Sequence, residues 1–468
     1  MSTQVTLQTK LTILATALLA FSGILLETSM NVTFPELAQL FHLSLGTIQW
    51  LTTGYLLVVT IIMATTAFLL KRFALRNLFI TAVAIFLIGD LFSGLAPNFT
   101  ILLLGRLIQA AATGLAMPMM YQVIFTKVPQ AKIGLYTGIA SMVISLAPAL
   151  GPTYGGLLSS LFSWREIFLW VLPIVIVGLV LGWAFIDIPA AGTNKHFDFG
   201  ALFFLSCGLL SFVWAATQFG NLQASLLTKF LPLLGGIAAF AIFVYLNQHG
   251  SSEVLSLNIL KHLPVRLDAL NYFILMFINI GISFVIPIYA EGVLKVTPLV
   301  AGLILLPGSI IGGFLAPVAG WIYDRFGAFV PIISGLVIVV ISTALFGILQ
   351  AVFTPLVMLL LFTSTRIGFN LAFSNTISNA HGNVPHEQSA DVNSLFNMLQ
   401  QYAGSLGTSI LASIIALKQT TADSSTALIQ QTYRGGHLDF MLLCGLALIA
   451  LVAAIINYWE QKHRGTAL

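Results

Sequence analysis

Three ionisable residues stand where the sequence is otherwise apolar. Glu27 interrupts the run 11–33, Asp90 the run 76–95 and Arg106 the run 99–121. A charge facing lipid costs ~3 kcal/mol or more, so each of these groups must face a cavity or a partner. Burial and a neighbouring cation act in opposite directions on a carboxyl group, so a change in either alters its hold on a proton. Two carboxyls and one guanidinium could therefore load and release a proton. The same three groups could also form a fixed pairing that only holds helices together. At ~1.5 Å per residue, Glu27, Asp90 and Arg106 fall roughly 18 to 24 Å from one face of a ~30 Å hydrocarbon core, within one layer.

The elements that position them follow from composition. Of 468 residues, 58% are hydrophobic and 7% charged, against about 25% charged in soluble domains, which excludes a soluble fold. Apolar runs broken by polar, Gly or Pro turns predict an all-α polytopic membrane protein with 14 transmembrane helices. The expected spans are 11–33, 48–70, 76–95, 99–121, 133–158, 164–187, 198–218, 229–247, 265–290, 297–320, 328–348, 353–380, 390–417 and 437–458. The first is expected to stay as an anchor, since no small-residue cleavage site follows it.

Basic residues set the orientation, because Lys and Arg are retained on the cytoplasmic side. With the N-terminus inside, the inner loops carry Lys10, Lys71, Arg72, Arg76, Lys127, Lys132, Lys195, Lys261, Arg266, Arg325, Lys462 and Arg464. The outer loops carry only Arg165, Lys229, Lys295, Lys418 and Arg434. Both termini are therefore expected in the cytoplasm.

Several chemistries find no support. There is no Gly-Lys pair and hence no phosphate-cradling nucleotide loop. The two cysteines, Cys207 and Cys444, lie in apolar runs, and all eight histidines, His196 and His386 among them, fall in loops or near span ends. Neither a disulfide framework nor a metal site is expected. With no cofactor in prospect, an ion gradient is the expected energy source. The net charge of +4 reflects sidedness and does not point to a nucleic-acid partner.

A coarse internal repeat divides the chain. The basic turn 71–76 after the second span is echoed at 324–327 after the tenth, and an intramembrane arginine follows each, Arg106 and then Arg366. This predicts a six-helix bundle over 1–190, two inserted transmembrane helices over 191–250 around the polar stretch 192–196, and a second six-helix bundle over 251–468. In the fifth span, Pro148 and Pro152 would kink the helix, while Gly151 and Gly155 offer a small-residue face on which another backbone can pack. In the thirteenth, Asn393, Asn397 and Gln401 recur every fourth residue, on one helical face, and Asn370, Asn375 and Asn379 stud the twelfth. Uncharged amides among many Phe and Met suit a large apolar or weakly polar ligand; hydrogen bonding between helices is the alternative.

These residues resemble a known family. Residues 27–35, Glu-Thr-Ser-Met-Asn-Val-Thr-Phe-Pro, are similar to the span-one signature of the 14-helix drug:proton antiporters of the major facilitator superfamily, and most closely of the lincomycin-efflux type. Residues 48–55 resemble that family's opening of span two. Arg106, Gln109, Gly114 and Pro118 resemble its span-four motif for proton coupling, with Ala110 in place of a glycine. Gly151, Pro152, Gly155 and Gly156 resemble its antiporter motif, which its exporters carry and its uptake carriers generally lack. The loop motif is degraded after span two, where Ala67, Lys71, Ala74 and Leu75 replace its Gly, Asp, Gly and Arg. Its second copy at 320–327 keeps Asp324, Arg325 and Gly327.

The resemblance implies a monomeric, proton-coupled exporter of hydrophobic or amphipathic drugs in the cell membrane. It would be a secondary transporter and not an enzyme, working by alternating access, with protons, drug and membrane lipid as partners. A lipid, peptide or metabolite exporter is the alternative within transport, and a polytopic membrane enzyme the alternative outside it. Glu27, Asp90 and Arg106 are expected to couple protons, Asn31, Gln109, Asn397 and Gln401 to contact substrate, and Pro148, Gly151, Pro152, Gly155, Gly156, Asp324 and Arg325 to gate.

Overall fold

The computed structural model describes residues 5–129, 132–190, 192, 197–219, 224–250, 254–385, 388–422 and 424–463. Lys195, His196, His386 and Arg464, with most of the polar stretch 192–196, lie outside the described residues. Regular structure among those described is entirely helical. The long helices are α1 (Leu7–Ser29), α2 (Trp50–Arg72), α3 (Leu75–Gly94), α4 (Phe99–Lys127), α5 (Ile133–Leu161), α6 (Leu172–Phe185), α7 (Phe199–Phe219), α8 (Leu226–His249), α9 (Leu263–Gly292), α10 (Pro298–Phe326), α11 (Phe329–Ile348), α12 (Pro355–Gly382), α13 (Ser389–Gln419) and α14 (Ser425–His463). Among the described residues, 12 helical segments are long and apolar enough to cross a membrane. Outside that set stand α5 and α13, of 29 and 31 residues.

Helices form here because backbone amides in lipid must be satisfied within their own segment. Their starts are written in the sequence. Asn98, Ser225, Thr297 and Thr354 each accept a hydrogen bond from the amide three residues on, at 3.0 to 3.4 Å. Pro298 and Pro355 follow two of these caps at positions where a missing N–H costs nothing.

Packing repeats between the two halves. In the first, α4 lies against α1, α2 and α3, α1 against α5 and α6, and α3 against α6. In the second, α12 lies against α9, α10 and α11, α9 against α13 and α14, and α11 against α14. The halves meet along two reciprocal seams, α5 on α10 and α2 on α13. The pair α7 and α8 packs on itself and reaches the body through α13 and α2.

Close backbone approaches fix the register in both halves. A methyl group on Gly89 would lie 2.6 Å from the Gly105 carbonyl oxygen and 2.7 Å from the Gln109 nitrogen. One on Gly335 would lie 2.5 Å from the Gly368 carbonyl oxygen and 2.8 Å from the Ala372 nitrogen. These glycine pairs mark equivalent levels of α3/α4 and α11/α12. Arg106 follows its glycine directly, whereas Arg366 precedes Gly368 by two residues, so the two arginines occupy different turns.

The two copies of the loop motif differ in their backbones. Gly327 ends α10 with φ of 84°, a left-handed conformation that glycine adopts without cost. Ala74, at the equivalent place, is extended, with φ of −61° and ψ of 135°. The first turn is tied instead to the chain after α6, through Leu75 N–H to the Ile188 carbonyl at 3.0 Å and Gly192 N–H to the Lys71 carbonyl at 3.1 Å.

Neighbours that are backbone atoms cannot swing aside, so Gly89→Ala and Gly335→Ala should each cost about 1 to 3 kcal/mol through overpacking. Gly320→Ala, whose added methyl meets nothing within 4 Å, should be neutral or mildly stabilising. Thermal unfolding of the purified variants in detergent checks this. Equal midpoints for all three would show that the glycine contacts do not set the register.

Candidate functional site

Arg106, Gln109 and Asp90 form one buried chain. Arg106 and Gln109 are fully buried on one face of α4, and Asp90 is 1% exposed on α3. Arg106 Nη1 donates to Gln109 Oε1 at 2.9 Å, and Gln109 Nε2 donates to Asp90 Oδ1 at 2.7 Å. The amide reads both ways, its oxygen toward the cation and its nitrogen toward the carboxylate. The close approach at Gly89 and Gly105 brings α3 near enough for a glutamine to reach across. Tyr55 of α2 closes the site from the other side, its ring centroid 4.1 Å from the guanidinium carbon. Its hydroxyl is fixed between the Gly23 carbonyl at 3.0 Å and Thr113 Oγ1 at 2.6 Å. Among the described residues, Asp90 Oδ2 and Arg106 Nε and Nη2 have no hydrogen-bond partner. These groups lie buried away from the protein surface, where charges exert their strongest electrostatic effect.

Glu27, 6% exposed, lies on α1 one turn beyond Gly23. Its helix, like that of Asp90, packs against α4, which carries Arg106. A further turn on, Asn31 accepts a hydrogen bond from Thr52 Oγ1 at 3.0 Å. Gln109, read from sequence as a substrate contact, is thus the bridge between acid and base, and Asn31 links α1 to α2. The other two substrate candidates lie apart on α13. Asn397 is half-buried and Gln401 is 5% exposed, and among the described residues no hydrogen bond joins either to the Arg106 chain.

The antiporter-motif residues divide between two surfaces. Gly151 faces the Thr28 side chain, and Gly155 the Ser29 backbone, both on α1. Gly156 faces the backbone of Pro298 and Leu299 at the start of α10, and Gly302 of α10 faces the Pro152 carbonyl in return. Pro152, Gly156 and Gly302 therefore build the seam between the halves. Pro148 is half-buried one turn before Pro152. At the far end of α10, Asp324 and Arg325 are exposed, with the guanidinium 5.4 Å from the Trp321 ring centroid.

Two buried acids in the second half escaped the sequence reading. Asp268, 1% exposed on α9, accepts from Asn379 Nδ2 of α12 and Asn457 Nδ2 of α14, both at 2.8 Å. Asp439, fully buried on α14, has no hydrogen-bond partner for either oxygen among the described residues. Arg366 pairs with Asn279 of α9 and lies 5.3 Å from the Phe369 ring centroid. The amide at Asn379 was the available signal for Asp268. Among the described residues no three His, Cys, Asp or Glu side chains group as metal ligands.

A helical bundle protein of the membrane, with buried ionisable groups at the joint of its first half, is the class of molecule that this architecture defines. The chain belongs to the major facilitator superfamily, whose family model matches residues 16–408. It is a transporter and not an enzyme. It is 31% identical over 446 residues to the lincomycin resistance protein LmrB of Bacillus subtilis (strain 168), covering 93% of each chain. It is 27% identical over 408 residues to the tetracenomycin C resistance and export protein of Streptomyces glaucescens, covering 86% of this chain and 76% of that one. A solved bacterial homolog of the human lysosomal transporter Spinster, inward-facing and unoccupied, shares the fold with a TM-score of 0.67 at 16% identity, covering 97% of this chain and 98% of that one.

Gln109→Leu removes both hydrogen bonds and leaves a buried cation and a buried acid uncompensated, a loss of about 3 kcal/mol or more. Asp90→Asn keeps an oxygen for Gln109 and should be milder. Yield of folded protein and melting temperature in detergent test the order; a Gln109→Leu variant as stable as wild type would remove the bridge from the account.

Proposed function

We propose that this chain is a proton-driven exporter of hydrophobic or amphipathic drugs in the cell membrane. The observation that carries the reading is the buried Arg106–Gln109–Asp90 chain, with Glu27 buried on α1, a helix that packs against α4. A proton and a cationic or polarising drug compete at an acid whose charge Arg106 governs, and antiport requires that each ligand favour release of the other. The drug-resistance and export proteins among the relatives support a drug as cargo.

In this reading the chain crosses the membrane fourteen times with both termini in the cytoplasm, and acts as a monomer without a cofactor. Residues 1–190 and 251–468 rock against each other, carrying 191–250 as an insert. Glu27 carries the coupling proton, Asp90 shares it through Gln109, and Arg106 tunes both. Asn31, Gln109, Asn397 and Gln401 meet the substrate. Pro152 and Gly156 form the hinge seam with α10, Pro148, Gly151 and Gly155 seat α5 on α1, and Asp324 with Arg325 steadies the cytoplasmic side.

Glu27→Gln should fold, because the amide mimics a protonated acid, and should no longer concentrate drug in proteoliposomes when a pH gradient is imposed. Drug equilibration down its own gradient should persist. A structural Glu27–Arg106 pairing predicts instead poor expression of Glu27→Gln, rescued by neutralising Arg106 as well. Gradient-driven accumulation by the Glu27→Gln variant would move the coupling to another residue, Asp90 first.

A further inference from the structure

The inserted pair α7 and α8 leaves a crevice against the body that the transport site does not use. Tyr402 OH donates to the Leu209 carbonyl at 3.1 Å and Ser409 Oγ to the Val213 carbonyl at 3.4 Å, pinning the middle of α7 to α13. From Leu210 onward, cavities flank α7 on two faces. One of about 490 Å³ lies between α7, α8 and α13, with Phe212, Phe219, Leu233, Ile410 and Leu417 in its walls. The second, of about 840 Å³, opens at the ends of α2, α4, α7, α8 and α13, where Ser44, Thr47, Thr217, Gln218 and Thr420 bring polar groups. Ser413 lines both. No charged side chain lines either among the described residues.

Shape, depth and polarity together define an occupant. The apolar cavity follows α13 from Tyr402 to Leu417, roughly 22 Å at 1.5 Å per residue, deeper than the ~15 Å of one leaflet's hydrocarbon. Trp50 and Trp214, with ring centroids 6.0 Å apart, stand in the wall of the polar cavity and set its mouth at the headgroup level, where tryptophan collects in membranes. Phe219 and Trp214 are 46% and 49% exposed, so the crevice opens sideways. Apolar space of this size loses its dispersion contacts if left empty, and in a bilayer an acyl chain is the material at hand. Hydroxyls and an amide at the mouth can bond a phosphate, but no cation is there to compensate a net negative headgroup.

We propose that this crevice is a binding site for one membrane phospholipid of net-neutral headgroup, with an acyl chain along α13 behind α7 and the headgroup among Ser44, Thr47, Thr217, Gln218 and Thr420. The lipid fills the wedge between the inserted pair and the body, and does so whatever the transported cargo is.

Native mass spectrometry of the protein purified from a defined mixture of phosphatidylethanolamine and phosphatidylglycerol tests both parts. One phosphatidylethanolamine should survive delipidation, at least about tenfold over phosphatidylglycerol. Ala216→Phe, which fills the apolar cavity, should lose it. As a measurement that needs no filled variant, the fluorescence component that Trp214→Phe removes should be quenched more strongly by dibrominated phosphatidylethanolamine than by dibrominated phosphatidylglycerol, each at the same low mole fraction in vesicles. No retained lipid, equal retention of both lipids, retention unchanged in Ala216→Phe, or equal quenching of that component by both lipids would each overturn the proposal, leaving only the ordinary lipid annulus.

Discussion

A guanidinium buried in hydrocarbon is the constraint around which the first half is arranged. Arg106 cannot shed its charge, so the surrounding helices must supply what water would. Gln109, one turn along α4, takes one N–H and passes the polarity to Asp90. Tyr55 offers the negative face of its ring. That supply depends on distances which only the Gly89 and Gly105 contact permits, since any side chain there would hold α3 away and leave Gln109 short of Asp90. Packing and electrostatics are therefore one requirement. The central position of α4, against α1, α2 and α3, means that a displacement of Arg106 is felt on every neighbouring helix.

The second half meets the same cost with different chemistry. Its glycine approach, Gly335 on Gly368, copies the first, yet the residue after Gly368 is Phe369 and the arginine lies on another turn. Arg366 is held by an asparagine and aromatic faces. Asp268 is held by two asparagine amides, one from α12 and one from α14. Asp268 and Arg366 are separated there and each is bonded by neutral partners, an arrangement suited to holding a shape, while Asp439 has no hydrogen-bond partner among the described residues. In the first half one glutamine stands between acid and base and hydrogen-bonds to both.

Much of this was legible because the physical signals are strong and local. Apolar runs long enough to span lipid, caps at Asn98, Thr297 and Thr354, and charges at Glu27, Asp90 and Arg106 all declare themselves within a few residues. What stayed hidden depends on which helices meet. Spacing along α5 shows that Gly151 and Gly155 share a face, but not that this face meets α1 while Gly156, one residue on, meets α10. The bond from Gln109 to Asp90 was hidden because it crosses from one helix to another. Asp268 and Asp439 were passed over because they lie near the ends of apolar runs, and burial at those levels comes from neighbours remote in sequence.

The inserted pair breaks the symmetry that the rest of the chain keeps. Of the two seams between the halves, α7 lies over α2 and α13, and among the described residues no counterpart helix of the repeat lies over α5 and α10. Its attachments across that seam are unequal. Toward α13 it is held by two hydrogen bonds to its backbone, from Tyr402 and Ser409. Toward α2 the contact is between the rings of Trp50 and Trp214, which can slide without losing a directional bond. If the halves rock as proposed, α7 and α8 would travel with the second half, and the seam would open at the Trp50 edge. A lipid lodged behind α7 would then ride with the second half, and the crevice could widen toward α2 without emptying.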